Sequence, residues 1–306
     1  MFEFVVRRLL QTIVTLFILS VLVFLMLRLT PADPAEAYLE PGAPQEKIEQ
    51  VRRMLGLDGE IWEQYIKWLQ RVLHGDLGIS WFSKEPVNQL ILERFPRTIA
   101  LAGISMVVSV AIGVSLGLFA SVRPGSIFDY LVRILSLAGF AMPSFWFAIM
   151  LILIFAVQLG VLPTSGYGAP KYYVLPVVTL AAQLVGVIAS MTSATVTEVL
   201  REEYVRTARA KGLRESMVMS RHVLKNAFIA LITLLGLQLG ALLGGAVVVE
   251  TVFAWPGLGM LTTDAVGTRD YPLVQALALV AGLIFLSINL LVDILYAIVD
   301  PRIRYS

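Results

Sequence analysis

Six stretches of this chain are apolar for long enough to cross a lipid bilayer, and that limits the fold more than any other feature. They run over about residues 9–29, 98–120, 132–159, 174–196, 227–250 and 273–297. Each reaches the ~20 residues that a hydrocarbon core of roughly 30 Å demands. No water satisfies the backbone inside a bilayer, so each run has to close its own hydrogen bonds as a helix. The expectation is an all-α membrane protein with six transmembrane helices. Composition agrees, with 58% hydrophobic residues and a mean hydropathy of +0.80, where a soluble domain stays nearer half apolar. The first run follows MFEFVVRRLL and lacks a small-residue cleavage site, so it reads as a retained span.

Charge orients the spans. With both termini inside, Arg7, Arg8, Arg123, Arg133, Arg302, Arg304 and all the cations of one central loop fall on the cytoplasmic side. The short outer loops hold only Lys171 and Arg269, a positive-inside bias. The domain order expected is an N-terminal span (1–30), an extracytoplasmic loop (31–97), a core of the remaining spans (98–300) and a cytoplasmic tail (301–306). The outer loop suggests short helices at Gln45–Leu57 and Pro86–Phe95. Between them Ile61, Trp62, Tyr65, Trp68, Leu69, Val72 and Leu73 recur at helical spacing and make one apolar face. That face suits either a lid packed on the spans or a docking surface for an extracytoplasmic partner.

The central loop, residues 198–226, is the one long polar run between apolar segments in the second half, and carries Arg201, Arg206, Arg209, Lys211, Arg214, Arg221 and Lys225. Thr197 is placed to cap a helix whose first turns hold Glu198, Glu202 and Glu203, where the macrodipole favours acids. That helix runs to Lys211, and Gly212 is placed to end it in a left-handed turn. A second short helix, Leu213 to about Leu224, is expected next. Two short helices joined at a glycine between spans form a surface knob that suits docking, or else a loop that only fixes topology.

The text YVRTARAKGL with RHVLKNA after it (Tyr204–Leu213 and Arg221–Ala227) resembles the cytoplasmic loop of ABC importer permeases, in the dipeptide/oligopeptide/nickel family. Counting from Gly212, that family's Glu-Ala-Ala positions hold Arg206, Thr207 and Ala208, and its Ile-x-Leu-Pro positions hold His222, Val223, Leu224 and Lys225. Further matches follow in chain order: LGLD (Leu55–Asp58), HGDLGIS (His74–Ser80), VVETVFAWPGLG (Val248–Gly259), RDYP (Arg269–Pro272) and YAIVDPRIRY (Tyr296–Tyr305). The resemblance therefore covers nearly the whole chain.

It implies the type I importer permease fold in a bacterial or archaeal inner membrane. It also implies that Arg206, Thr207, Ala208, Arg209, Ala210, Lys211, Gly212 and Leu213 couple this chain to an ATPase. The partners implied are a second homologous permease, two cytoplasmic ATPase chains carrying ATP and Mg, and an extracytoplasmic binding protein. Cargo divides within the family. LRLTPADPAEAYLE, PSFWFA and LPTSGYG (Leu27–Glu40, Pro143–Ala148, Leu162–Gly168) are similar to the nickel permeases. RPGSIFD and EEYVRTARAKGL (Arg123–Asp129, Glu202–Leu213) are similar to the dipeptide ones. The balance leans to di- and oligopeptides, with a nickel chelate as the alternative.

Other chemistry finds little support. The chain has no Gly-Lys pair, hence no Walker A loop, so ATP hydrolysis belongs to another chain and this one is no enzyme. There is no Cys, and the only histidines, His74 and His222, fall on opposite sides of the membrane, so no metal site or cofactor is expected. No basic stripe interleaved with aromatics points to nucleic acid. TSGYG (Thr164–Gly168) is close to a potassium-filter text, but a full span runs into it with no room for a pore helix, and an outer turn is expected there. Glu250 and Asp293 are the ionisable residues inside spans, both near span ends rather than at a midplane relay. Gln183, Ser190, Ser193, Gln238 and Asn289 are candidates for a polar translocation path, or else bond helix to helix. Gly113 with Gly117, and Gly236, Gly240 and Gly244, are spaced for close helix contact, and Pro143 should kink the third span.

Overall fold

A computed structural model describes residues 2–28, 34–39, 42–54, 59–122 and 125–299. Leu55–Asp58, Arg123, Arg302, Arg304 and the tail 301–306 lie outside the described residues. In chain order the α-helices are α1 (Phe2–Arg28), α2 (Pro34–Tyr38), α3 (Gln45–Met54), α4 (Ile61–Leu73), α5 (Val87–Val122), α6 (Ile127–Ala141), α7 (Ser144–Leu151), α8 (Lys171–Val199), α9 (Glu203–Ala210), α10 (Glu215–Met217), α11 (Lys225–Val252), α12 (Leu258–Gly267) and α13 (Tyr271–Val299). Two wider π-helical segments follow α7 (Ile152–Gln158) and α10 (Val218–Leu224). Five helices are long and apolar enough to cross a membrane, and the bent pair Ile127–Gly139 with Ser144–Gln158 makes a sixth if it is one span.

That pair departs from the expected kink, because the helix breaks and turns by 102°. Proline disfavours the helical conformation of the residue before it, and Met142 is extended at φ −81°, ψ 126°. The carbonyl left open at this end is taken by Gln183, whose Nε2 donates to Met142 O at 3.2 Å. At Pro96 the reverse happens. The separate short helix and span expected there merge into the 36 residues of α5 with Pro96 inside. Losing one bond is tolerated because Val87, Leu90 and Ile91 in its first turns are buried and keep that stretch helical.

The chain divides into two compact units, which group residues 6–30 and 257–287 with the loop 31–97. One comprises residues 98–256 with 1–5 and 288–306. Its centre is α8, where Leu180, Leu184 and Ile188 are buried with Leu101, Ala148, Leu151, Val249 and Trp255. Glycines set the spacing. A Cβ on Gly113 would stand 2.8 Å from Ile188 Cβ, and one on Gly117 would stand 2.5 Å from the Ala189 carbonyl. The Gly113/Gly117 spacing thus serves packing inside the chain. α6 and α8 approach equally closely, with Gly186 against Ser136 and Gly139 against the Ala182 carbonyl. Glu250, fully buried, accepts from Thr98 Oγ1 at 2.7 Å. The TSGYG segment is a turn, in which Gly166 N–H donates to Phe253 O at 3.1 Å and Tyr167 meets the buried Trp255 edge-on.

The other unit comprises residues 6–97 and 257–287. Here α4 packs on α1, Tyr65 and Trp68 lying against Phe24 while Ser20 Oγ meets Tyr65 Oη at 2.8 Å. Ile61, Trp62 and Leu73 stay exposed, so the expected apolar face is only partly covered. Residues 257–287 belong here because Leu258, Leu261, Leu273 and Leu277 bury against Val87, Leu90 and Ile91. HGDLGIS and RDYP, far apart in sequence, meet at Asp270. Its carboxylate accepts from Ser80 Oγ and from the Phe82 N–H at 3.3 Å, and caps α13 through the Leu273 N–H at 3.3 Å. Asp270 is 1% exposed, so removing it orphans three donors. Asp270→Ala is expected to cost about 2–4 kcal/mol, read as a lower unfolding midpoint of the purified protein, with Asp270→Asn recovering part of the loss.

Candidate functional site

The polar knob expected at 198–226 exists, with different joints. Thr197 is no cap: α8 runs on to Val199, and Thr197 Oγ1 donates back to Ser193 O at 2.7 Å. The next helix starts three residues beyond Leu200, with extended Glu202 at its cap position (φ −67°, ψ 142°). α9 then buries Val205 and Ala208, spaced three apart on one face.

Gly212 ends α9 as its residue type requires, at φ +75°. The Gly212 N–H reaches Arg209 O at 2.9 Å and the Leu213 N–H reaches Ala208 O at 3.4 Å. This is the Schellman pattern, in which a left-handed residue lets two N–H groups satisfy the last carbonyls. Its usual apolar contact is present, since Leu213 and Ala208 share a cluster with Val196, Val205, Val218, Val223 and Ala227.

The second short helix does not stop at Leu224. It winds as π from Val218 to Leu224 and passes straight into α11. Val218 and Val223 are both fully buried. At 100° per residue, positions five apart point about 140° away from each other. A π turn closes residue i on i+5 and so lets both valines face the same cluster. Nothing in the local text signals this.

The coupling candidates therefore separate by face. Arg206, Thr207, Arg209, Ala210, Lys211 and Gly212 are exposed, whereas Ala208 is 4% exposed and Leu213 packs inward. Arg209 grips Glu215 across the turn through two bonds, Nε to Oε2 at 3.1 Å and Nη2 to Oε1 at 2.6 Å. The Arg209 hydrogen bonds hold the Glu215 carboxyl below its ordinary value, against an opposing effect of burial. A lowered folded pKa gives stability that is present above the unfolded value and lost as pH falls through the folded one. The pair is solvent-exposed, so it is worth at most about 1 kcal/mol. Proteolysis within 203–217 is expected to quicken only modestly on acidification below pH 4.5, and Glu215→Gln should abolish that pH dependence.

The path candidates do not form one line. Gln183 and Gln238 line a groove of about 230 Å³ with Leu180, Leu184 and Gly245. Ser190 and Ser193 line a separate cavity of about 540 Å³ with Asp129, Arg133, Glu198 and Arg201. Asn289 is half-buried on α13 and lines neither. Asp129, which the sequence reading passed over, is held by Arg133 at 3.0 and 3.1 Å and by the Gly125 N–H at 3.0 Å. Its signals were legible. Ser126 sits three residues earlier and caps α6 through the Asp129 N–H, and the cation follows at i+4.

This set of helices, with no strand among the described residues and a glycine-closed knob between α8 and α11, is the type I ABC importer permease fold. Solved structures agree. The MetNI methionine ABC transporter in an inward-facing form matches 69% of this chain and 97% of its own, at 20% identity and TM-score 0.55. An amino acid ABC transporter crystallised with histidines matches 68% of this chain and 94% of its own, at 16% identity and TM-score 0.56. Residues 113–305 match the family described as binding-protein-dependent transport system inner membrane component, and residues 1–102 match its N-terminal counterpart. The chain belongs to that family. It is similar to the glutathione transport system permease protein GsiC of Escherichia coli K12, at 45% identity over 306 residues and all of both chains. The GsiC of Shigella dysenteriae serotype 1 matches equally well, at 45% over 306 residues. The chain is thus a multi-pass inner-membrane transport component of the peptide/nickel family, not an enzyme, and its family works with ATPase and binding-protein partners.

Proposed function

We propose that this chain supplies one half of the translocation path of an ATP-driven importer for short peptides, with glutathione-like tripeptides among its cargo. A second, homologous permease completes the path, two ATPase chains carrying ATP and Mg dock on the cytoplasmic side, and an extracytoplasmic protein delivers the cargo. In this reading the chain crosses the membrane six times, with the bent α6–α7 pair as one crossing and both termini in the cytoplasm.

The observation that carries the ATPase reading is the exposed, cation-bearing run Arg206–Gly212, rigidly seated by Val205, Ala208 and Leu213 beneath it. Exposed residues make the contact, and the buried ones transmit its movement to α8 and α11. The lean to peptides is supported by the full-length similarity to the GsiC proteins, glutathione being itself a tripeptide. The test is to purify the tagged chain gently with what accompanies it, then assay ATPase activity with dipeptides, glutathione and chelated nickel. Co-purifying ATPases stimulated by peptide or glutathione are expected. Stimulation by nickel chelate alone transfers the cargo assignment to the metal. A lone chain that moves solute in liposomes without ATP overturns the importer reading.

A further inference from the structure

The unit formed by residues 6–97 and 257–287 contains a cavity of about 480 Å³ lined by none of the coupling or path candidates. Three cations line it, Arg28, Arg71 and Lys84, against one acid, Asp76, whose Oδ1 already accepts the Gly78 N–H at 2.9 Å. Among the described residues none of the three cations forms an ion pair. Arg28 gives its Nε to Gln64 Oε1 at 3.0 Å and stacks 4.8 Å over Phe24, and Lys84 sits 4.3 Å over Tyr38. The Arg28 charge is disfavoured by burial and by Arg71 beside it. Like charges gathered with so little opposite charge are stabilised by an anion between them.

Two more observations point to a ligand. Gln275, on the wall, is 7% exposed, yet its Nε2 has no hydrogen-bond partner among the described residues. A buried unpaired amide is costly, and a bound acceptor removes the cost. The depth is also distinctive. Arg28 lies two residues past the apolar stretch Val5–Met26, and Tyr271 opens the stretch Tyr271–Ile294, and both line this cavity. Tyr38, Trp68 and Trp81 join them. Aromatics and cations where apolar spans end mark the headgroup level of a bilayer.

We propose that this cavity binds the phosphate of an anionic phospholipid headgroup, held by Arg71, Lys84 and Gln275. Carboxylates of soluble peptides share the charge but not the depth, and the test separates them. The complex is purified and placed in nanodiscs of phosphatidylcholine containing one tenth phosphatidylglycerol, and the retained phosphatidylglycerol is quantified by native mass spectrometry. Wild-type protein and the exposed-cation control Lys67→Gln are expected to retain it. Arg71→Gln with Lys84→Gln is expected to lower retention at least fivefold, and Arg71→Lys to restore most of it.

Gln275→Met guards against simple misfolding. It is expected to keep or raise the lipid-free unfolding midpoint while losing most of the upward shift that phosphatidylglycerol gives the wild type. Equal retention in wild type and double variant overturns the site. Displacement of the lipid by glutathione but not by inorganic phosphate at equal concentration assigns the cavity to a soluble carboxylate and overturns the lipid source.

Discussion

Gly212→Val is expected to cut cargo uptake tenfold or more while the associated ATPases keep their basal hydrolysis and lose its stimulation by cargo. The argument rests on conformation alone. Gly212 holds φ +75°, and a Cβ built there meets nothing within 4 Å, so steric clash is not the cause. An L-residue in the left-handed region costs roughly 1–2 kcal/mol, and a β-branched one more. A penalty of that size shifts the population of the turn by a factor of about 5–30. What is lost is the pair of bonds from the Gly212 and Leu213 N–H groups to Arg209 and Ala208. Without them the exposed Arg206–Lys211 run no longer sits at a set angle on its buried base. A graded series makes the test sharp. Gly212→Asn is expected to work nearly normally, because Asn tolerates this conformation, and Gly212→Ala should fall between. Uptake by Gly212→Val at the wild-type level would remove the turn from the coupling mechanism.

The second large effect is on assembly of the bundle. Gly186→Ala and Gly117→Ala are each expected to lower the unfolding midpoint in detergent by on the order of 5 °C and to reduce yield. A Cβ on Gly186 would lie 2.7 Å from Ser136 Cα and 2.9 Å from its carbonyl oxygen. On Gly117 the new atom would meet the Ala189 carbonyl at 2.5 Å and Thr192 Cβ at 2.6 Å. These neighbours are largely backbone, which gives way only if whole helices move apart, at the 1–3 kcal/mol typical of overpacking. Gly103→Ala, on the same α5 but open for 4 Å around, is the internal control and should change nothing or stabilise slightly. Equal behaviour of all three variants would refute close packing of α8 against α5 and α6.

Much of the candidate site was readable in the chain. Gly212 after RTARAK declares a helix stop because glycine adopts the left-handed turn without a Cβ penalty. The polar run between apolar segments declares a surface. Which residues of that surface face outward was not readable. Ala208 belongs to the resembling motif, yet it lies beneath the helix because its phase is set by Val205 and Leu213 packing on Val196, Val218 and Val223. Whether a polar residue in a span lines a path or bonds helix to helix was not readable either, and the Gln183 amide closes the Met142 carbonyl at the α6 break.

Hydrophobic length, proline and glycine positions and charge bias act over a few residues, so the sequence by itself determined the helical class, the apolar spans, the knob and its glycine stop. Contacts between distant segments decided the remainder. Ser80 finds Asp270 across 190 residues, and two prolines in similar helical text have opposite outcomes, a break at Pro143 and passage at Pro96. A π segment appears where two valines five apart must share one face. In each case the free energy comes from burying side chains and satisfying polar groups against partners that local sequence does not specify, and only the tertiary structure supplies them.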